Sequence, residues 1–78
     1  MVENNFLKEY YSREIYSLKD SIKFCEDEIA TLNRIRENYS HNLNIVEFCR
    51  EIIFYDAKNI KEESNEIDDL RKSIKELR

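Results

Sequence analysis

The sequence predicts an all-α protein built from two long antiparallel helices, a helical hairpin with coiled-coil-like packing. Three observations predict it. Apolar residues recur in alternating steps of three and four along most of the chain, the phase of that recurrence changes once, and a polar segment rich in asparagine lies at the change. The 78 residues include no glycine and no proline, so the usual residues of tight turns and glycine-rich nucleotide sites are absent.

The first helix is predicted at about residues 6 to 37. Asn4 or Asn5 is expected to cap its start, because a short polar side chain there accepts hydrogen bonds from the unpaired amides of the first turn. Steps of four and three are typical of a helix packed lengthwise against another helix. The residues of this first seam are Tyr11, Ile15, Leu18, Ile22, Cys25, Ile29 and Leu32.

A turn is predicted at about residues 38 to 44, where asparagine, serine and histidine favour turn conformations. The second helix is predicted at about residues 45 to 77. Asn44 with Glu47 has the form of a capping box, and Leu43 with Phe48 that of the accompanying hydrophobic staple. Two acidic residues interrupt its seam, which reads Val46, Cys49, Ile53, Asp56, Ile60, Glu63, Ile67, Leu70, Ile74 and Leu77.

Residues 1 to 78 are therefore expected to form a single helical domain. Helices of similar length joined by a short connector favour the antiparallel hairpin, completed into a bundle by a second copy or a partner. An alternative is one long continuous helix in a dimeric coiled coil with a local phase slip. A third interpretation breaks the second helix at about residues 62 to 66, although the seam stays in phase there.

Composition and charge narrow the function classes. Asp and Glu number 17 against 13 Lys and Arg, and the two signs are interspersed, so direct binding to nucleic acid is not expected. The longest apolar stretch is far shorter than the roughly 20 residues of a membrane-spanning helix. The first five residues do not resemble a signal peptide. A cytoplasmic or otherwise intracellular protein, without membrane contact, is expected.

The cysteines and ionisable residues indicate no catalytic, cofactor or metal site. Cys25 and Cys49 both fall on seams, about 12 Å apart along a hairpin, which is beyond disulfide reach and favours free thiols in a reducing compartment. His41 is predicted to be an exposed turn residue without a nucleophile nearby. The acidic run 26–28 is expected to be a solvated face. No enzymatic activity and no cofactor are expected.

Apolar residues outside the seams carry the functional hypothesis. A two-helix hairpin does not cover them, and the expected function is a non-catalytic protein–protein interaction module, acting as a scaffold or assembly subunit. The expected partner is a second copy, giving a homodimer, or a helical subunit of a larger assembly. The predicted interaction residues are Phe6, Tyr10, Phe24, Ile45, Phe48, Ile52 and Tyr55.

An alternative function rests on the acidic cluster of the second helix. The chain would then be a small acidic inhibitor that blocks a basic surface of an enzyme or of a nucleic-acid-binding protein. The residues of that contact surface would be Glu62, Glu63, Glu66, Asp68 and Asp69. Separately, a turn centred near His41 places Glu63 level with Lys19, which predicts a partly buried ion pair between them.

Overall fold

The computed structural model describes the backbone of residues 2–77 and the side chains of residues 4–77. Two helices, α1 (Val2–Asn38) and α2 (Leu43–Glu76), pack against each other along their length. The described chain forms a rod of 61 × 14 × 12 Å. The all-α hairpin is therefore confirmed. Of the predicted 1–78 domain, Met1 and Arg78 lie outside the described residues.

The helix–helix contact follows the two predicted seams. Every residue of both seams is buried or half-buried. The fully buried part is small: among the described residues, the buried apolar side chains are Cys25, Leu32, Cys49 and Ile67, and Asp56 is buried among them. A pair of helices has only one stripe each to bury, so most of the seam keeps one edge in solvent.

The turn occupies residues 39–42 and is tighter than predicted. The amide of Tyr39 donates to the carbonyl of Ile35 at 3.0 Å, and the amide of Asn42 donates to the carbonyl of Tyr39 at 2.9 Å. No described residue has a positive φ, so this turn needs no glycine. The first helix ends later, at Asn38, and the second begins earlier, at Leu43, than the sequence predicted.

Asn42, and not Asn44, caps α2. Its backbone is extended, with φ −99° and ψ 99°, and its side chain accepts a hydrogen bond from the amide of Ile45 at 3.2 Å. The predicted capping box at Asn44 is wrong, because Asn44 already lies in the first turn of the helix. The predicted staple is also wrong, since Leu43 and Phe48 are both exposed, Leu43 by 74%.

The start of α1 likewise differs from the prediction. The helix begins at Val2, so Asn4 and Asn5 lie inside it and do not cap it. The segment 2–5 contains neither proline nor glycine, so none of its residues ends the helix before Phe6. Leu7, four residues before Tyr11, is also half-buried, so the seam extends one turn further towards the start of α1.

Two polar contacts across the seam define which residues lie level. The hydroxyl of Ser21 donates to Oε1 of Glu63 at 3.0 Å, and the carboxyl group of Glu28 lies close enough to that of Asp56 for the pKa of Glu28 to be raised. In each pair, one residue precedes residue 42 by as many positions as the other follows it. The predicted Lys19–Glu63 pair is therefore wrong: the tighter turn shifts the pairing by two residues, and Lys19 is exposed.

Neither helix has, within the described residues, a stretch that is both long and apolar enough to cross a membrane.

Candidate protein-interaction surface

An apolar row runs along the half of α2 that follows the turn. Phe48, Ile52 and Tyr55 lie four and three residues apart, so they project from the same side of the helix, and Ile45 continues the row by one turn. Phe48 and Tyr55 are each 61% exposed. Ile45 and Ile52 are half-buried beside the seam. The row therefore presents two aromatic rings outward with two isoleucines beneath them.

A second row lies on the facing half of α1. Phe24, Thr31 and Ile35 fall on one side of this helix at intervals of seven and four. Phe24 is 66% exposed, and Ile35 is half-buried. Ile35 is not among the predicted interaction residues, because it lies beyond Leu32, the last residue of the first seam. Ile35 lies eleven residues after Phe24, which is three full helical turns, and this spacing in the sequence indicates that the two residues share one side of the helix.

Burial beside the seams places both rows on the same side of the hairpin. In the half of the hairpin next to the turn, the residues flanking the seam on the side of these rows are half-buried, whereas those flanking it on the opposite side are exposed except for Asn33. Each helix is thus shielded by the other on this side. The half-buried residues are Ser21, Glu28, Ile35, Ile45 and Ile52; the exposed counterparts are Lys19, Glu26, Arg50 and Ala57.

The two rows together form one surface next to the turn, called here the apolar face. Five of the seven predicted interaction residues belong to it. Its residues are Phe24, Thr31, Ile35, Ile45, Phe48, Ile52 and Tyr55.

The remaining two predicted interaction residues lie at the other end of the rod. Tyr10 is on the same side of α1 as Phe24 but fourteen residues earlier, about 21 Å away along the helix. Phe6 lies one turn further and projects more to the outside. Both are exposed, by 52% and 67%, and they border a shallow groove with the Arg13–Glu9 ion pair, whose N–O distance is 2.7 Å. The structure does not bring them to the apolar face.

The predicted acidic surface is divided among three sides of α2. Glu62, Glu66 and Asp69 continue the row of Tyr55 towards the end of the helix and are exposed. Asp68 projects from the opposite side. Glu63 lies half-buried in the seam, bonded to Ser21, and is not available to a partner. Only three of the five predicted carboxylates therefore share a contact surface.

Three carboxyl groups lie near Cys25, those of Asp56 and Glu63 in the seam and that of Glu28 beside it. Asp56 is only 7% exposed, and its Oδ2 atom and the Oε2 atom of Glu63 are buried without a hydrogen-bond partner. The hydrogen bond to Asp56, aided by desolvation and by the charge of Asp56, raises the pKa of Glu28. Glu28 is thus not part of a solvated face, as the sequence suggested. No ion pair with lysine or arginine accompanies these three carboxyls in residues 4–77.

Both cysteines are free and buried. Burial raises the pKa of the Cys25 thiol, and the neighbouring carboxylates of Asp56 and Glu63 raise it further. A thiol in such surroundings stays protonated and packs as a small apolar side chain.

His41 is exposed in the turn, as predicted. The shallow depression around it is lined by Asn38, Tyr39, Asn42, Leu43 and Asn44, none of which is acidic or a thiol. Within the described residues, no three histidine, cysteine, aspartate or glutamate side chains are grouped so as to hold a metal ion.

Comparisons with protein-family models, with curated proteins and with solved structures give no match.

Proposed function

We propose that this chain is a non-catalytic protein–protein interaction module, a scaffold or assembly subunit that binds its partner through the apolar face. The observation that carries the proposal is the placement of Phe48, Ile52 and Tyr55 on one side of α2, with Phe24 and Ile35 on the same side of α1. Large aromatic side chains at the centre of a surface are typical anchors of protein interfaces.

The thin core of the hairpin supports the same proposal. With four buried apolar side chains in the described residues, the two helices bury little of their own surface, and small domains are marginal for this reason. Covering the exposed part of each aromatic ring contributes roughly 2 kcal/mol. Association itself costs several kcal/mol in lost translational and rotational freedom. A row of rings, and not a single one, is therefore needed to bind.

A pair of double substitutions tests this function. Phe48→Glu with Ile52→Glu places two carboxylates on the apolar face, where association would desolvate them without partners. Phe54→Glu with Ala57→Glu adds the same charge on the other side of α2, where both residues are exposed. Sedimentation equilibrium, with circular dichroism as the folding control, should show association lost in the first variant and kept in the second. If the native chain associates and both folded variants associate equally well, the proposal is overturned.

A second candidate function follows from the shared side of Glu62, Glu66 and Asp69. Three carboxylates at helical spacing, together with a net charge of −4, suit the basic surface of an enzyme or of a nucleic-acid-binding protein, which the chain would block. Such a complex is held by exposed charges, so its dissociation constant should rise steeply between low and high salt.

Salt dependence separates the two candidates. Association through the apolar face buries nonpolar surface, so sodium chloride should leave its affinity nearly unchanged or strengthen it. A complex lost on raising the salt, and lost again in a Glu62→Gln, Glu66→Gln, Asp69→Gln variant, would favour the acidic inhibitor.

A further inference from the structure

We propose that the partner of the apolar face is a second copy of this chain, and that the two hairpins lie antiparallel and staggered, so that only their turn halves overlap. This inference rests on the proposed function and adds to it the identity of the partner and the arrangement.

The position of the face within the rod is the first step. It extends from the level of Phe24, eighteen residues from residue 42, to that of Ile45, three residues from it. Its centre thus lies ten to eleven residues from the turn, or about 15 Å at the rise of an α-helix. The described rod is 61 Å long, so the face occupies one half of it.

Charge along the same side of the hairpin sets the stagger. Beyond Tyr55 the row of α2 continues as Asn59, Glu62, Glu66 and Asp69, all exposed. Beyond Phe24 the row of α1 continues as Ser21, Ser17, Glu14 and Tyr10, in which Glu14 is the one carboxylate. Two hairpins aligned in parallel would bring these carboxylates against each other. Two hairpins overlapping antiparallel over their full length would cover the partner's apolar face with carboxylates. Both arrangements desolvate negative charge without a counterion.

The staggered arrangement avoids both costs. A twofold axis through the centre of the face puts apolar row on apolar row and points the acidic halves in opposite directions, into solvent. Such an interface is isologous, with the same residues contributed by each copy, which is the common way for identical chains to associate.

The face itself favours a second copy over a charged partner. Between the two rows lies the half-buried carboxyl group of Glu28, next to Asp56 of the seam, whose proximity raises the pKa of Glu28. At its margin the Nη2 atom of Arg34 donates to the hydroxyl of Thr31 at 3.5 Å, so the face carries little charge for a charged partner to recognise. Two helices with one uncovered apolar side are half of a four-helix bundle, which a second hairpin completes.

The arrangement has a measurable geometry. With the axis about 15 Å from the turn, the overlap is about 30 Å, the two turns lie about 30 Å apart, and the pair of rods is about 90 Å long. In a parallel pair the two turns would lie within about 20 Å of each other. In a fully overlapped antiparallel pair they would be about 60 Å apart, close to the length of the rod.

A spin label in the turn distinguishes these arrangements. Ser40 is exposed, whereas both native thiols are buried, so a thiol-reactive nitroxide on the Ser40→Cys variant should attach at that residue, as mass spectrometry of the labelled chain verifies. Sedimentation equilibrium of the full chain should give twice the chain mass of 9.5 kDa. Double electron–electron resonance should then give a distance near 30 Å.

The outcomes separate this inference from the function on which it rests. A dimer with a turn-to-turn distance under 20 Å or near 60 Å overturns the stagger. A monomer at every accessible concentration overturns the second copy as partner but leaves an interaction module with a different partner. If the labelled dimer persists with Phe48→Glu and Ile52→Glu in place, the apolar face is not the interface, and the proposed function falls with it.

Discussion

Ser21 on α1 donates its hydroxyl to Oε1 of Glu63 on α2 at 3.0 Å, forty-two residues apart in sequence. This bond lies in the seam and joins a half-buried hydroxyl to a half-buried carboxylate whose other oxygen, Oε2, has no partner. A seam of apolar side chains alone tolerates sliding by a whole heptad, whereas a polar pair is satisfied in only one alignment. The pair therefore fixes how the two helices are aligned.

Removing the hydroxyl should destabilise the hairpin. Ser21→Ala leaves both oxygens of Glu63 without a protein partner, which should lower the free energy of unfolding by about 1 to 2 kcal/mol. The matched control is Ser17→Ala, one turn earlier and exposed, which should change the free energy of unfolding by less than about 0.5 kcal/mol. Urea denaturation followed by circular dichroism measures both. Equal effects of the two substitutions would mean that the bond contributes nothing to stability.

Replacing the carboxylate itself should have the opposite effect. Glu63→Leu removes a desolvated charge from the seam and fills the position with an apolar side chain, as in an uninterrupted coiled coil. The melting temperature should be unchanged or higher by a few degrees, since about 1 kcal/mol corresponds to roughly 4 to 8 °C in a domain of this size. The alignment of the helices should become less strictly defined. A fall of more than ten degrees would contradict the placement of Glu63 in an apolar seam.

The Glu28–Asp56 contact makes stability depend on pH. The pKa of Glu28 is raised above its ordinary value of 4.5 by the hydrogen bond to Asp56, by desolvation and by the charge of Asp56. The folded state then holds the proton more tightly than the unfolded state. The stability this contributes is complete below pH 4.5 and is lost as the pH rises through the raised pKa. Cys25 beside the pair stays protonated throughout, and Asp56 is the group facing Glu28 from α2.

The variant that isolates this effect is Glu28→Gln, whose amide donates to Asp56 at every pH. It should be more stable than the native chain at pH 7 and should approach it near pH 4.5, so that the difference between their urea midpoints shrinks on acidification. Glu26→Gln, exposed on the other side of α1, is the control and should give a difference that does not vary with pH. A constant difference for Glu28→Gln as well would show that the contact does not form.

The corrected helix cap gives a fourth prediction. Asn42→Ala removes the side-chain acceptor for the amide of Ile45 and should lower the free energy of unfolding by about 1 kcal/mol. Asn44→Ala, at an exposed position inside the helix, should preserve or slightly raise it, because alanine is the better helix former. Thermal unfolding of both variants measures the difference. If Asn44→Ala lowers the free energy of unfolding more than Asn42→Ala does, Asn44 is the cap.

Hydrophobic periodicity was sufficient to predict the fold. The phase change between Leu32 and Val46 predicted two helices, and every seam residue is buried or half-buried in the structure. Helix ends were less predictable, because three asparagines near the turn can each act as a cap, and only the packing decides which one does. The resulting error of a few residues shifted the expected partner of Glu63 from Lys19 to Ser21.

The candidate surface was predicted in part. Phe48, Ile52 and Tyr55 follow directly from spacing along one helix. Grouping them with Phe24 and separating them from Phe6 and Tyr10 requires knowing which sides of the two helices coincide and at what height. Those relations depend on the length of the turn, which composition alone does not define. Glu28 was missed for the same reason, since its partner Asp56 lies on the other helix.

The measurement that most directly tests the account is hydroxyl-radical footprinting of the native chain across a dilution series, read out by mass spectrometry for each aromatic residue. Phe48 and Tyr55 on the apolar face should be protected at high concentration and become reactive on dilution. Phe54, equally exposed in the hairpin but on the other side of α2, should remain reactive throughout. Protection of Phe54 with free reaction of Phe48 and Tyr55, or uniform reactivity of all three in a chain that associates, would contradict the assignment of the apolar face as the interface.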